Sequence, residues 1–216
     1  MSEYGYIPEA PTQSWGNNKG IFTPNDIYDL TRSDKYTQYG QVELIETKTV
    51  SGTPTTVEFT EIKGNIYKVH FFTYNNVKGN STTAQDFGFR YSTDGGTSWQ
   101  SGTDYRWALF DGRGSGTWSD IQGTGENYGA LAPDLDDETN ATVNGYVYFY
   151  NLNDSTKYSY TTSANFIHQS AVGGRTRTGG TAYVTTNTVN AIQFLSSSGG
   201  GFKSGTMSLY GMRYYT

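Results

Sequence analysis

From Gln41 onward the chain keeps one pattern: apolar and aromatic side chains return at every second position in short runs, broken by Gly, Asn, Asp and Ser. A period of two marks strands with one buried face, and no amphipathic helical stretch alternates with these runs. A parallel α/β sheet is therefore excluded. The composition agrees, with 27 Gly and 19 Tyr, and charged residues are only 16% of the chain against roughly 25% in an average soluble protein.

The runs predict about ten strands: 42–50, 56–62, 66–75, 87–93, 105–110, 145–152, 157–163, 181–186, 189–196 and 205–213. Leu44 and Glu46 face opposite to Ile45, and Val57 shares a face with Phe59. At 216 residues with no long repeat, the expected fold is all-β, an antiparallel two-sheet sandwich of jelly-roll type. Residues 111–144 show little alternation and read as a long surface loop or as strands that the pattern hides.

Residues 1–39 differ. They hold three of the five prolines and no alternating run, so they are expected to form an extended arm, with the sandwich occupying 40–216. Within the arm, Thr23-Pro24-Asn25-Asp26 has an N-cap hydroxyl, a proline suited to the first helical position and an acid for the helix dipole. A helix of about two turns follows, presenting Ile27 and Leu30 on one face, with Phe22 and Ile27 at staple spacing.

Composition excludes several functions. With no cysteine there is neither a disulfide framework nor a thiolate metal site. The net charge is −5 and the basic residues are scattered, so no nucleic-acid partner is expected. No apolar stretch approaches membrane-span length, and the first residues lack a signal-peptide layout. Synthesis and folding in a cytoplasm, with no membrane association, are the expectation.

Candidate chemistry is sparse. Ser92-Thr93-Asp94-Gly95-Gly96-Thr97-Ser98-Trp99 resembles the Asp-box of sialidases and related propellers. There the motif is structural; here Asp94, Gly96 and Trp99 read as a stiff hairpin in which Trp99 packs back over the turn. The acidic run Asp134-Leu135-Asp136-Asp137-Glu138 lacks the glycine and the twelfth-position glutamate of a calcium loop and reads as solvated loop. His70 and His168 have no ligand or triad partner at useful spacing. No catalytic residue, cofactor or metal site is assigned, and the chain is expected not to be an enzyme. Glycan cleavage would need two carboxylates ~5–10 Å apart in a cleft. The 19 Tyr, 11 Phe and 4 Trp outnumber what a core needs. Tyr105, Trp107, Trp118 and Tyr128, read as loop residues, are the candidate contacts for a glycan or protein partner.

Two segments resemble a known group. Tyr6-Ile7-Pro8-Glu9-Ala10-Pro11 followed by Gly20-Ile21-Phe22-Thr23-Pro24-Asn25-Asp26-Ile27-Tyr28-Asp29-Leu30 resembles the N-termini of fibre-like structural proteins of tailed bacteriophages infecting marine bacteria. Gly205-Thr206-Met207-Ser208-Leu209-Tyr210-Gly211-Met212 resembles the final strand of phage β-sandwich proteins. The resemblance implies a virion component, assembled in the host cytoplasm. Its arm would dock through Ile21, Phe22, Ile27, Tyr28 and Leu30 to sister subunits, as a homotrimer, or to other virion proteins. Its sandwich head would bind a host surface, including surface glycan, or a neighbour. A capsid decoration or cement protein and a carbohydrate-binding module are the alternatives.

Overall fold

The structure, a computed structural model, describes residues 23–33, 42–169 and 173–212. The chain divides into two compact units, residues 1–39 and 40–216, and each is described by itself.

In the first unit, α1 (Pro24–Arg32) is a nine-residue helix. Thr23 caps it. The Asp26 backbone N–H donates to Thr23 Oγ1 at 3.2 Å, while the Thr23 N–H donates back to Asp26 Oδ2 at 2.8 Å. This is the reciprocal capping arrangement, with aspartate in place of the usual glutamate. The hydrogen bonds from Thr23 also hold the Asp26 carboxyl below its ordinary pKa. Tyr28 is exposed and Leu30 half-buried. Ile21 and Phe22 lie outside the described residues.

The second unit has twelve strands: β1 (Val42–Thr49), β2 (Thr56–Phe59), β3 (Val69–Gly79), β4 (Gln85–Ser92), β5 (Tyr105–Arg113), β6 (Trp118–Glu126), β7 (Gly129–Leu135), β8 (Val143–Tyr150), β9 (Ser159–Gln169), β10 (Gly173–Tyr183), β11 (Ala191–Ser196) and β12 (Phe202–Met212). They form an eight-stranded sheet, β1-β12-β3-β8-β9-β10-β5-β6, and a four-stranded sheet, β2-β11-β4-β7. Without the hairpins β5–β6 and β9–β10, the order is β1-β12-β3-β8 in one sheet and β2-β11-β4-β7 in the other. That interleaving of two Greek keys is a jelly roll. Both hairpins extend the same sheet, which gains four strands while the other gains none.

Alternation builds the core. In β8, Val147 and Phe149 are fully buried, whereas the neighbouring Tyr146 is 44% exposed. Phe72 stacks on Phe194 of the opposite sheet at 3.9 Å between ring centres, and Phe59 meets Phe72 edge-on at 5.4 Å. Such pairs contribute ~0.5–1.5 kcal/mol each beyond the area they bury. A register shift between Leu44 and Glu46 leaves Ile45 bulged, and it packs against the core.

The sequence reading needs correction in three places. Of the two readings of residues 111–144, the hidden strands hold and the long loop does not: the segment contains the end of β5, then β6, β7 and the start of β8. The stretch 164–180 is likewise stranded, in β9 and β10. The acidic run is not all solvated loop, because Asp134 and Leu135 end β7 and Asp134 pairs with Arg175.

Candidate binding face

The two outward faces of the sandwich differ in chemistry. On the four-stranded sheet the outward side chains find hydrogen-bond partners within the fold. Gln193 Nε2 donates to Glu58 Oε1 at 2.9 Å, and Arg90 Nε donates to the Asn127 carbonyl at 2.8 Å. On the eight-stranded sheet many outward positions are aromatic or small, with Arg106, Asp120 and Gln122 among them near the β5–β6 edge.

Strand register lays this second face out in rows. Tyr210, Phe71 and Tyr148 stand opposite one another on β12, β3 and β8. Phe71 lies 4.8 Å from Tyr148 and 5.9 Å from Tyr210 between ring centres. Tyr146 and Tyr150 flank Tyr148 on the same strand face, and Tyr150 shares a 3.1 Å hydrogen bond with Thr162 of β9. Beyond this plateau the row continues as Thr162, Gly180 and Ala108, on β9, β10 and β5. The surface drops there into a trough of about 440 Å³. Tyr160 borders it on one side, and Arg106, Gln122 and Thr124 on the other. Further along, Phe110 and Trp118 stack at 5.0 Å and 16°. Phe110 is 44% exposed, Phe166 55% and Trp118 57%. Exposed aromatic side chains gathered on one face in this way are the kind of surface found at interaction sites.

The four aromatics singled out from the sequence do not converge, and none lies in a long loop. Trp118 belongs to this face. Tyr105 is fully buried, with its hydroxyl accepting the Tyr91 N–H at 2.8 Å, so it cannot contact a partner. Trp107 has the same strand parity as Tyr105 and lies against Gly123, half-buried, among the residues that border the trough. Tyr128 covers Gly88 on the four-stranded sheet and donates to Asp86 at 3.2 Å. Its burial, and then the Asp86 charge, push its phenol up to about 12. Sequence reading missed Phe71, Tyr146, Tyr148, Tyr160 and Phe166. The alternation Tyr146-x-Tyr148-x-Tyr150 is the signal that could have found them, since Val147 and Phe149 between them take the core.

The Asp94 turn is as tight as its sequence suggests. Asp94 Oδ1 accepts from the Ser98 N–H at 2.9 Å and from Ser92 Oγ at 2.7 Å, and Asp94 Oδ2 accepts from Ser98 Oγ at 2.6 Å. The Ser98 side chain first, and then Ser92, bring the carboxyl to about 2. Trp99 sits by Gly96. It is not a hairpin, however: β4 and β5, which it helps to connect, lie in different sheets.

Behind the trough, on the inward side, Arg175 and Arg177 of β10 meet three carboxylates. Arg175 Nε donates to Asp111 Oδ1 at 2.8 Å, and Arg175 also pairs with Asp134. Arg177 Nη1 donates to Asp86 at 3.0 Å and Nη2 to Asp111 at 3.4 Å. Asp111 is fully buried. Burial alone would raise its pKa, but the hydrogen bonds and charges of the two guanidinium groups outweigh that and hold it below the ordinary range. The cluster ties β4, β5, β7 and β10 together.

A larger cleft of about 640 Å³ lies at the β8–β9 turn, between Tyr67, Lys68 and Asn151–Lys157. Its lining carboxylate, Asp154, is held by the side chain and N–H of Thr156 and by Lys157. Those contacts lower it to about 2. His70 is buried and its Nε2 is 2.7 Å from the Ile62 carbonyl. Among the described residues no three His, Cys, Asp or Glu side chains gather as a metal site. No described helix is long and apolar enough to cross a membrane.

No family model and no curated protein matches the chain. Among solved structures it has a weak likeness to the CBM2 module of the Lactobacillus casei BL23 phage J-1 evolved Dit. The two are 10% identical with a TM-score of 0.24, over 74% of this chain and 70% of that one. A TM-score that low gives no common framework on which residues could be carried across.

Proposed function

We propose that this chain is a non-enzymatic structural protein of a bacteriophage particle, attached through residues 1–39 and projecting the jelly roll to make contacts outside its own fold. The exposed aromatic face of the eight-stranded sheet carries this reading. Tyr146, Tyr160, Phe166, Phe110 and Trp118 are presented to solvent on one side, while the opposite side is closed by its own polar contacts. Two inserted hairpins that enlarge only this sheet make the same point. The likeness of 20–30 and 205–212 to phage proteins supports placing the chain in a virion, assembled in the host cytoplasm. The capped helix α1, with Tyr28 outward, gives the arm a formed docking element. A homotrimer is the assembly we expect, since closed cyclic symmetry is the rule for oligomers.

Deleting residues 1–39 tests the reading. The truncated chain, which retains the whole core cluster, is expected to fold and stay soluble but to be absent from purified particles. Incorporation at full occupancy without the arm would overturn it. Copy number then separates a fibre-like tail position from capsid decoration, because hundreds of copies per particle imply the capsid.

A further inference from the structure

We propose that the trough between Tyr160 and the Arg106–Gln122 pair, together with the adjoining Trp118 ring, binds a linear polysaccharide. This deepens the binding role proposed above and rests on it.

Three observations carry the proposal. First, the depression has a defined floor. Its floor is Gly180 and Ala108, placed side by side by the β10–β5 register, and at about 440 Å³ it is shallow and open to solvent. Gly180 cannot be enlarged, because a Cβ there would fall 2.5 Å from the Thr161 carbonyl oxygen. Second, the walls pair the two chemistries that sugars require. A pyranose ring offers an apolar face of C–H groups and a rim of hydroxyls. Tyr160, 44% exposed, offers an aromatic face, while Arg106 and Gln122 offer planar polar groups that can bond two vicinal hydroxyls at once. Both are exposed, and neither has a hydrogen-bond or ion-pair partner among the described residues, so that capacity is open to a ligand. Third, there is a second stacking station in line with the first. Phe110 follows Ala108 by two residues on β5, ~7 Å further along, and its ring stacks with Trp118. Trp118 lies on Gly112 and stays 57% exposed beside Phe110. Two stations in line fit a chain of repeating rings better than one compact ligand.

The charges narrow the ligand further. Arg106 lines the trough, and Asp120 projects from the same side of β6 two residues from the trough's Gln122, so the two charges offset one another beside it. A linear chain recognised by ring faces and hydroxyl pairs is the class that fits.

The test uses the full-length chain and four soluble linear polysaccharides: a β-1,4-glucan, a β-1,3-glucan, an alginate and a galactan. Affinity electrophoresis finds the binder and calorimetry measures it. At least one is expected to retard the protein. Tyr160→Ala and Trp118→Ala are each expected to weaken binding about tenfold. Ala108→Phe, which fills the floor without removing a contact, is expected to abolish binding. Thermal melting confirms that each variant is folded, and Gln122→Ala supplies a second, milder variant on the polar wall. Failure of all four polysaccharides to retard the wild type would overturn the inference, as would equal retardation of wild type and variants. Particle incorporation, measured on the same chains, keeps the two readings apart. A chain that incorporates normally yet binds no polysaccharide removes this inference alone. A chain that binds polysaccharide through these residues but enters no particle removes the virion role alone.

Discussion

Trp118 lies flat on Gly112, the residue directly opposite it across the β5–β6 ladder. A Cβ at position 112 would stand 2.1 Å from the indole, so the ring can occupy this place only over glycine. Aromatic cover of a cross-strand glycine shields the backbone and fixes register. Gly112→Ala is therefore expected to push the indole off the sheet and break its stack with Phe110. Because Trp118 is 57% exposed, the ring can swing away, and the stability cost is expected to be only about 1 kcal/mol. Tryptophan emission should shift to the red and become easier to quench with acrylamide. The shift should vanish in a Trp118→Phe background.

Asp111 sits between two guanidinium groups with no exposure to water. Asp111→Asn would leave Arg175 and Arg177 without their shared anion. Breaking a buried pair from one side costs about 3–5 kcal/mol, and urea unfolding is expected to show a loss of that order. The wild type should also be acid-sensitive through this group. A carboxyl whose folded pKa lies below its unfolded value stabilises the fold above the unfolded pKa, about 3.9. It stops doing so as pH falls through the folded value. The Asp111 contribution is thus complete at neutral pH and lost below about pH 4, and the Asn variant should lack this acid limb.

Alternation made the jelly-roll core legible: Val57 with Phe59, Phe87 with Phe89, and Val147 with Phe149 all face inward as their spacing requires. The strands that escaped detection lack that contrast for identifiable reasons. β7, Gly-Ala-Leu-Ala-Pro-Asp-Leu, is buried on both faces apart from Asp134, so small residues replace the polar half of the pattern. β6 is the free edge of its sheet, and Ser119, Asp120 and Gln122 face water. β10 carries Thr and Gly outward and buries Arg175 and Arg177 inward, which inverts the usual polarity. The binding face was hidden for a related reason: its tyrosines alternate with core residues, so each run reads as an ordinary strand. Only the register shows that Tyr210, Phe71 and Tyr148 meet.

His70 gives a second pH response in a different window. Burial pushes the imidazole pKa below its ordinary 6.5, and the nearby Ile62 carbonyl offsets this only in part. The unfolded chain therefore takes up a proton below about pH 6.5 that the folded chain refuses. Stability is expected to be full above that pH and to decline as pH falls toward 5. His70→Gln, with an amide to reach the same carbonyl, is expected to lose about 1–2 kcal/mol at pH 8. Between pH 7.5 and 5 its stability should stay level where the wild type declines. Denaturant titrations at four pH values would show this, and a parallel decline in both proteins would assign the response elsewhere.

Gly179 and Gly116 separate two costs of adding one methyl group. Gly116, in the β5–β6 turn, has φ +89°, and a Cβ added there would meet nothing within 4 Å. Alanine at this position bears only the cost of the left-handed backbone, about 1 kcal/mol. Gly179 has φ +154°, and its Cβ would fall 2.3 Å from the Ala108 carbonyl oxygen and 2.8 Å from the Leu109 Cα. Those are backbone atoms of the paired strand, and they cannot move without opening the β10–β5 ladder. Gly179→Ala is expected to cost about 3 kcal/mol or more. It should also expose amides on both sides of residues 177–181 to hydrogen exchange, whereas Gly116→Ala should leave the ladder protected. Equal melting temperatures for the two variants would mean that the strands are not held as closely as these distances require.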